Sequence, residues 1–343
     1  MKIADFDYDL PDALIAQQPL ADRSASRMLV VKRNSGEILD DTFSSIYRYL
    51  RAGDTLVLNN TKVFPARLIG RSNTGAKIEL FLVKEIETGT WQVLARPAKR
   101  LPAGKKIRFN DELEAEVLEK LPGGGLVVSF TTSGDLSALI DKVGKTPLPP
   151  YIKRGTDKID EDRERYQTVF AKNRGAIAAP TAGLHFSPEM LEKVRDARVT
   201  LCEITLHVGY GTFEPVRVQD VSEHRVLAEQ YEIGEEAAET LNQARKDGKR
   251  IIAVGTTTTR TLESALTKRD RFVAEKANAE LTIVPGYKFR VIDALITNFH
   301  LPKSSLLVLV STFAGHDLIM KAYQHAVDSS YRFYSYGDCM FIS

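Results

Sequence analysis

The stretch "RIIAVGTTTTRTLESAL", residues 250–266, changes character half way along. Residues 250–255 are a short apolar run closed by Gly255, which reads as a buried strand. From Arg260 onward, Leu262, Ala265 and Leu266 fall at i, i+3, i+4 spacing and read as one face of a helix. Thr256, Thr257, Thr258 and Thr259 lie between the two, where the pattern predicts a strand-to-helix turn. Such a turn presents unpaired N–H groups and the positive end of the helix dipole at the carboxyl edge of a sheet, where α/β proteins bind ligands. Threonine hydroxyls there can cap the helix and face a ligand, and Arg260 can grip a carboxylate or phosphate with two hydrogen bonds. The plainer alternative is one capping threonine beside a solvated loop. No GxxxxGK[ST] pattern is present, so the turn is not a P-loop.

Strand–helix alternation continues on both sides. "SPEMLEKVRDA" (187–197) predicts a helix with Ser187 as N-cap, Pro188 in its first turn, and Phe186 and Leu191 as a hydrophobic staple. "VTLCEITLHVG" (199–209) reads as a strand. "GEEAAETLNQARKDGK" (234–249) reads as a helix with acids in its first turn, bases in its last and Gly248 past its end. "ALITNF" (294–299) predicts a strand and "HDLIMKAYQHAV" (316–327) the final helix. "SSLLVLVSTF" (304–313), apolar on both faces, reads as a strand of a parallel sheet covered by helices. "SRMLVVKR" (26–33) and "DTLVLNN" (54–60) read as strands of the same layer.

Residues 66–132 have another texture. "ARLIGR", "KIELFLV", "WQVLARP", "KKIRF", "LEAEVLE" and "GLVVSF" are short strand-like runs separated by turn clusters such as "SNTG" and "PGGG". That spacing predicts a small antiparallel barrel. The fold class expected is therefore α/β: a discontinuous α/β domain with a largely parallel sheet, residues 1–65 and 151–343, plus an inserted small antiparallel β-barrel, residues 66–150. The proline-rich "TPLPPYIKR" (146–154) returns the chain.

The 343 residues carry 47 Lys and Arg against 45 Asp and Glu, so a nucleic-acid partner would have to be held by a local patch and not by net charge. Cys202 and Cys339 are the only cysteines, too few for a zinc ribbon or an iron–sulfur cluster. The acidic N-terminus predicts no signal peptide, and the longest apolar run, "LLVLV" (306–310), is too short to span a bilayer. A cytoplasmic protein without a membrane partner is expected.

Four turns gather chemistry-bearing residues: "AAPTAGLHF" (178–186) with Thr181, Gly183 and His185; "TLHVGYGTF" (205–213) with His207, Gly209 and Gly211; the threonine turn; and "TNFHLP" (297–302) with Asn298 and His300. Three of the six histidines thus sit at predicted strand ends or turns. Histidine is the usual proton-transfer group near neutral pH, while a structural histidine is the alternative at each position. A three-histidine metal site has no supporting spacing, so no metal is expected. In the predicted barrel, Arg96, Lys99, Arg100, Lys105, Lys106 and Arg108 occur without an intervening acid, and Lys153 and Arg154 follow the proline run. This suits a nucleic-acid backbone, with a solvated hairpin as the alternative. The aromatic stretch "YRFYSYGDCMFI" (331–342) reads as a buried strand or as a base-stacking surface.

Taken together, "DFDYDLPDALIAQQP", "LVLNNTKVFPARLIGR", "PLPPYIKR", "AAPTAGLHF", "TLHVGYGTF", "IAVGTTTTRTLE", "DALITNFHLPKSSLLVLVS" and "YRFYSYGDCMFI" resemble, in order and over essentially the whole chain, the S-adenosylmethionine:tRNA ribosyltransferase-isomerases of queuosine biosynthesis. The resemblance implies an α/β domain with an inserted β-barrel. It also implies a reaction in which the ribosyl part of S-adenosylmethionine is transferred to 7-aminomethyl-7-deazaguanine at the wobble position of a tRNA. Rearrangement to epoxyqueuosine releases adenine and methionine. The implied partners are that tRNA and S-adenosylmethionine, the latter a consumed substrate and not a cofactor, and a monomer is expected. Leu227 and Ala228 depart from the family's Met-His in "EHRVLAEQY", and Val284 stands in place of its Tyr.

The chemistry of that reaction can be matched to residues. The sulfonium acidifies the 5′ carbon, so a base is needed; adenine leaves protonated, so an acid is needed; and the acceptor amine must be neutral. His185, His207 and His300 are the expected catalytic residues. Thr181, Gly183, Gly209, Gly211, Thr256, Thr257, Thr258, Arg260 and Asn298 are the expected substrate-binding residues, with Arg260 and the threonine turn on the methionine carboxylate. Thr259 is expected to be an incidental cap or surface residue. Lys99, Arg100, Lys105, Lys106 and Arg108 are the expected tRNA contacts. A non-catalytic RNA-binding protein of the same fold is the alternative. A methyltransferase is disfavoured by the lack of a GxGxxG fingerprint.

Overall fold

The structure, a computed structural model, describes residues 1–153, 159–213, 216–267 and 269–343, so Arg154 lies outside the described residues. Strands β1 (Arg27–Lys32), β2 (Glu37–Thr42), β3 (Thr55–Asn59) and β4 (Thr61–Val63) come first. They are followed by β5 (Arg67–Ser72), β6 (Lys77–Glu87), β7 (Thr90–Arg96), β8 (Lys106–Arg108), β9 (Leu113–Lys120) and β10 (Gly125–Thr132). Helices α1 (Leu136–Val143) and α2 (Ile159–Arg165) lead to β11 (Asn173–Ala176), α3 (Pro188–Asp196) and β12 (Thr200–Leu206). The chain continues through β13 (Glu229–Ile233), α4 (Glu235–Lys246), β14 (Ile251–Val254), α5 (Thr256–Ala265) and β15 (Glu275–Ala279). It ends with β16 (Ala294–Asn298), α6 (Ser305–Ala314), α7 (His316–Asp328) and β17 (Cys339–Ile342).

Nine strands form one sheet in the order β15-β13-β12-β3-β14-β16-β17-β1-β2. Strands β12, β3, β14 and β16 are parallel neighbours and β1 and β17 pair in parallel, while β16 and β17 and the outer pairs are antiparallel. Side chains alternate across this sheet as the pleat requires. Leu29, Val57, Ala253, Leu295 and Met340 pack under α4 to α7, while Met28, Leu56, Ile252, Ile296 and Phe341 pack under α3 and the segment around Phe43. Burial on both faces accounts for the unbroken apolar runs of β1, β3, β14 and β16. Strands β5 to β10 close into an antiparallel barrel around Leu68, Leu80, Val93, Ile107, Val117 and Val128.

Capping chemistry agrees with the sequence pattern. Ser187 Oγ accepts from the Met190 N–H and starts α3, and Gly248 follows α4 at φ 61°.

Three local expectations are corrected. Residues 305–314 are helix α6 and not a strand. The Ser304 hydroxyl accepts from the Leu307 N–H, Gly315 ends the helix at φ 93°, and packing against α5 and α7 buries it nearly all round. An apolar run without alternation fits either element, and here its caps decide. In the 331–342 stretch only Cys339–Ile342 is strand; Tyr331, Phe333, Tyr334 and Tyr336 are buried outside it.

The threonines, thirdly, are the first turn of α5 and not a connecting turn. Gly255, at φ 93°, breaks the strand abruptly, and the helix begins at Thr256. Thr258, Thr259 and Thr261 donate their hydroxyls to the carbonyls of Val254, Gly255 and Thr257, four residues back, at 2.7, 3.2 and 3.1 Å. Those bonds satisfy polar side chains that would otherwise be unpaired in a buried helix. Thr259 is wholly buried and not a surface residue. Glu263, also wholly buried, accepts from the N–H groups of Arg290, Val291 and Ile292 and from the Tyr287 hydroxyl.

Candidate active site

Because β12, β14 and β16 belong to one parallel set, the segments that follow them emerge at one edge of the sheet. Together with residues 178–182, after β11, they enclose a cavity of about 330 Å3. Its wall includes Ala178, Ala179, Ala182 and Gly255, whose small side chains bring backbone close to a ligand. Thr256 and Thr257, at the start of α5, also line it, and no side chain caps that helix. The first N–H groups of α5 therefore lack a side-chain acceptor at a cavity wall.

Of the residues singled out by sequence, Thr181, Thr256, Thr257, Asn298 and His300 line this cavity. Asn298 Nδ2 lies 3.1 Å from His185 Nε2, 3.2 Å from the Tyr334 carbonyl and 3.5 Å from the Asp338 carbonyl. Turning the amide over would set its oxygen against those two carbonyls, so its nitrogen faces His185. His185 thus accepts at Nε2 and carries its proton on Nδ1, 2.9 Å from Ser26 Oγ. Burial, reinforced by Arg23 and Arg332, holds the His185 imidazole down at about 3. His300 Nε2 is 2.8 Å from Thr297 Oγ1, the only hydrogen-bond partner of that ring among the described residues. Burial holds it, too, at about 3. Both rings are neutral at pH 7.

The remaining expected residues lie elsewhere. The His207 ring is half-buried over Gly175, with Nδ1 2.8 Å from Thr61 Oγ1, and burial lowers its pKa. Val208, and not His207, lines the cavity wall, just past the end of β12. Gly183 packs against Phe170 and Thr168, each about 2.8 Å from where a Cβ would stand. Thr258 faces its own helix. Arg260, Gly211, His224, Leu227 and Glu229 line a second, much smaller pocket. There Arg260 Nη1 donates to Glu229, Nη2 donates to the Ala279 carbonyl at 2.9 Å, and Gly209 N–H donates to Glu229 at 2.9 Å. Leu227, one of the two departures, packs against Gly211. On the barrel, Lys105 is bonded to Asn73 at 2.5 Å, Lys106 to Glu114 at 3.0 Å and Arg108 to Asp111 at 2.7 Å. Lys99 and Arg100 are exposed.

Sequence reasoning missed Tyr151 and Tyr334. Both line the cavity with their rings stacked at 4.5 Å, and burial pushes the Tyr151 hydroxyl up to about 12. Tyr334 sits at φ 72°, a left-handed conformation unusual for an aromatic residue, and its buried hydroxyl has no hydrogen-bond partner among the described residues. Asn298 Oδ1 is likewise buried and unpaired. The sequence signals are the segment "PLPPYIKR" for Tyr151 and the aromatic stretch at 331–342 for Tyr334.

No group of three or more His, Cys, Asp or Glu able to hold a metal occurs among the described residues, and no single helix among them is long and apolar enough to cross a membrane.

Residues 3–342 match the family described as "Queuosine biosynthesis protein". Proteins named S-adenosylmethionine:tRNA ribosyltransferase-isomerase are similar over the full length of both chains, at 50% identity in Thermoanaerobacter sp. and 48% in Staphylococcus haemolyticus. The crystal structure of an S-adenosylmethionine tRNA ribosyltransferase from Thermotoga maritima matches 99% of this chain and 100% of its own, at 36% identity and a TM-score of 0.56.

Proposed function

The chain belongs to the queuosine biosynthesis protein family, and we propose that it acts there as an S-adenosylmethionine:tRNA ribosyltransferase-isomerase. It moves the ribosyl moiety of S-adenosylmethionine onto 7-aminomethyl-7-deazaguanine at the wobble position of tRNA and isomerises it to epoxyqueuosine, releasing adenine and methionine. It works in the cytoplasm as a monomer, and S-adenosylmethionine is consumed as a substrate with no separate cofactor.

The observation that carries this reading is the 330 Å3 cavity, which joins an uncapped helix start, Asn298 and His300 at one sheet edge. The donor's methionine carboxylate is taken by the N–H groups at the start of α5, beside Thr256 and Thr257. Arg260 lies behind, already paired with Glu229, so it supports this wall and does not itself grip the carboxylate. His300, whose ring has Thr297 as its one hydrogen-bond partner among the described residues, is the neutral group placed to exchange a proton with the substrate. His185, bonded at both nitrogens, orients Asn298.

Incubation with S-adenosylmethionine and precursor tRNA tests the reading. Stoichiometric release of adenine and methionine is expected. Methylated RNA with S-adenosylhomocysteine, or tRNA binding without turnover, overturns it.

A further inference from the structure

A groove of about 650 Å3 runs along the barrel beside the cavity just described. Arg67, Arg96 and Lys145 line it together with Phe81 and Tyr210, and Pro150 borders both the groove and the cavity. Its two acids are already engaged. Glu79 lies 3.7 Å from Arg67, and Asp162, buried, accepts from the Tyr336 hydroxyl at 3.2 Å. Arg96 and Lys145 have no ion-pair partner among the described residues. Tyr210, 37% exposed, meets Phe81 edge-on at 6.2 Å and leaves an aromatic surface open in the groove.

A cationic lip beside exposed aromatic rings is what a single-stranded nucleic acid needs: cations for phosphates, ring faces for bases. We propose that this groove, and not the basic segment at 99–108, carries the anticodon loop of the tRNA to the cavity. Phosphates lie along Arg96 and Lys145, and one unpaired base rests on Tyr210 and Phe81. Of that segment's charges, Lys106 and Arg108, on the β8–β9 hairpin, suit the task less well, since both already hold acids on the barrel's own surface. The inference rests on the reading of tRNA as substrate.

Two double charge reversals of equal size test it: Arg96→Glu with Lys145→Glu, and Lys106→Glu with Arg108→Glu. tRNA affinity is measured by gel shift over a range of salt, and S-adenosylmethionine affinity by calorimetry. The groove pair is expected to weaken tRNA binding at least tenfold and to flatten the salt slope by about two, roughly one for each phosphate no longer neutralised. The hairpin pair should stay within about twofold, and donor affinity should hold in both. Tyr210→Ala, which changes no charge, should weaken tRNA binding several-fold without touching the salt slope. A groove pair within twofold of the parent, or a hairpin pair that loses as much, overturns the assignment, as does an unaffected Tyr210→Ala. If the unaltered chain turns over while the groove variants behave like it, the groove assignment alone falls; if the unaltered chain binds no tRNA, the substrate reading falls with it.

Discussion

Asn298 donates to His185 Nε2 at 3.1 Å, and that bond ties a cavity-wall amide to a buried imidazole whose other nitrogen is held by Ser26. The two residues act as a unit, and the unit predicts a split between the histidines. His300→Ala should lower kcat by about a hundredfold or more, the usual size of a lost proton-transfer group, with little change in donor affinity. His185→Ala should lower turnover while sparing tRNA affinity, and His185→Gln, which restores an acceptor for Asn298, should recover part of it. Equal activity of His300→Ala and the parent would remove His300 from the reaction.

Buried neutral histidines also make stability depend on pH. His185 and His300 are held at about 3 in the folded protein, against about 6.5 in an unfolded chain. Between those values the unfolded chain binds the protons and the folded one does not. Their contribution is thus intact above pH 6.5 and is lost as pH falls towards 3. The slope approaches about 1.4 kcal/mol per pH unit for each histidine well below 6.5. Urea midpoints at pH 7, 6 and 5 should fall accordingly, and His300→Phe should make the decline shallower. A flat profile down to pH 5 would show that neither ring is desolvated.

Tyr334 offers a sharper separation of stability from function. Its hydroxyl is buried without a partner, a situation that costs about 1–3 kcal/mol, and its backbone is strained at φ 72°. Tyr334→Phe keeps the ring stacked on Tyr151 and removes the unpaired group. The variant should be as stable as the parent or more so, by up to about 1 kcal/mol in denaturant unfolding, yet should bind or turn over substrate several-fold less well. Loss of stability with unchanged kinetics would make the hydroxyl a structural group.

Glu263 belongs to the signature stretch, but its bonds are structural. Its carboxylate accepts three backbone N–H groups and the Tyr287 hydroxyl in a fully buried position. Glu263→Ala strands several donors at once and should cost about 3 kcal/mol or more. Any activity left at low temperature should show a normal KM for both substrates, which steady-state kinetics would check.

Which parts of this architecture were legible follows from what each signal measures. Ser187 caps α3 with its own hydroxyl, and Gly248 and Gly255 act through their own backbone angles, so these roles could be read locally. The segment 305–314 could not, because "LLVLV" fits either a strand or a helix, and only the Ser304 cap and the neighbouring helices decide. Asn298 and His300 stand out by type and position, whereas Tyr151 and Tyr334 meet only through the tertiary fold. His207 was misplaced among the cavity residues because its partner Thr61 lies far off in sequence, and the path of the chain past β12, which sets Val208 in the cavity wall, is invisible in one sequence. Charge counts likewise marked Lys106 without showing Glu114 beside it on the neighbouring strand β9.

The same limit bears on Arg260, whose partner Glu229 lies on the adjoining strand β13. Both side chains are almost fully buried, and the guanidinium also reaches the carbonyls of Ala279, Leu227 and Leu281. Removing one member leaves the other charged and unpaired in the interior, which costs about 3–5 kcal/mol, whereas replacing both with apolar residues of similar volume is often neutral. Arg260→Ala should therefore lower the urea midpoint severely. Arg260→Met combined with Glu229→Leu should recover most of the loss and keep the KM for S-adenosylmethionine within a few-fold of the parent. A different outcome would return the arginine to the ligand: if Arg260→Ala holds its midpoint but raises that KM tenfold or more, the guanidinium contributes more to holding the methionine carboxylate than to the fold, and the start of α5 is not the main anchor.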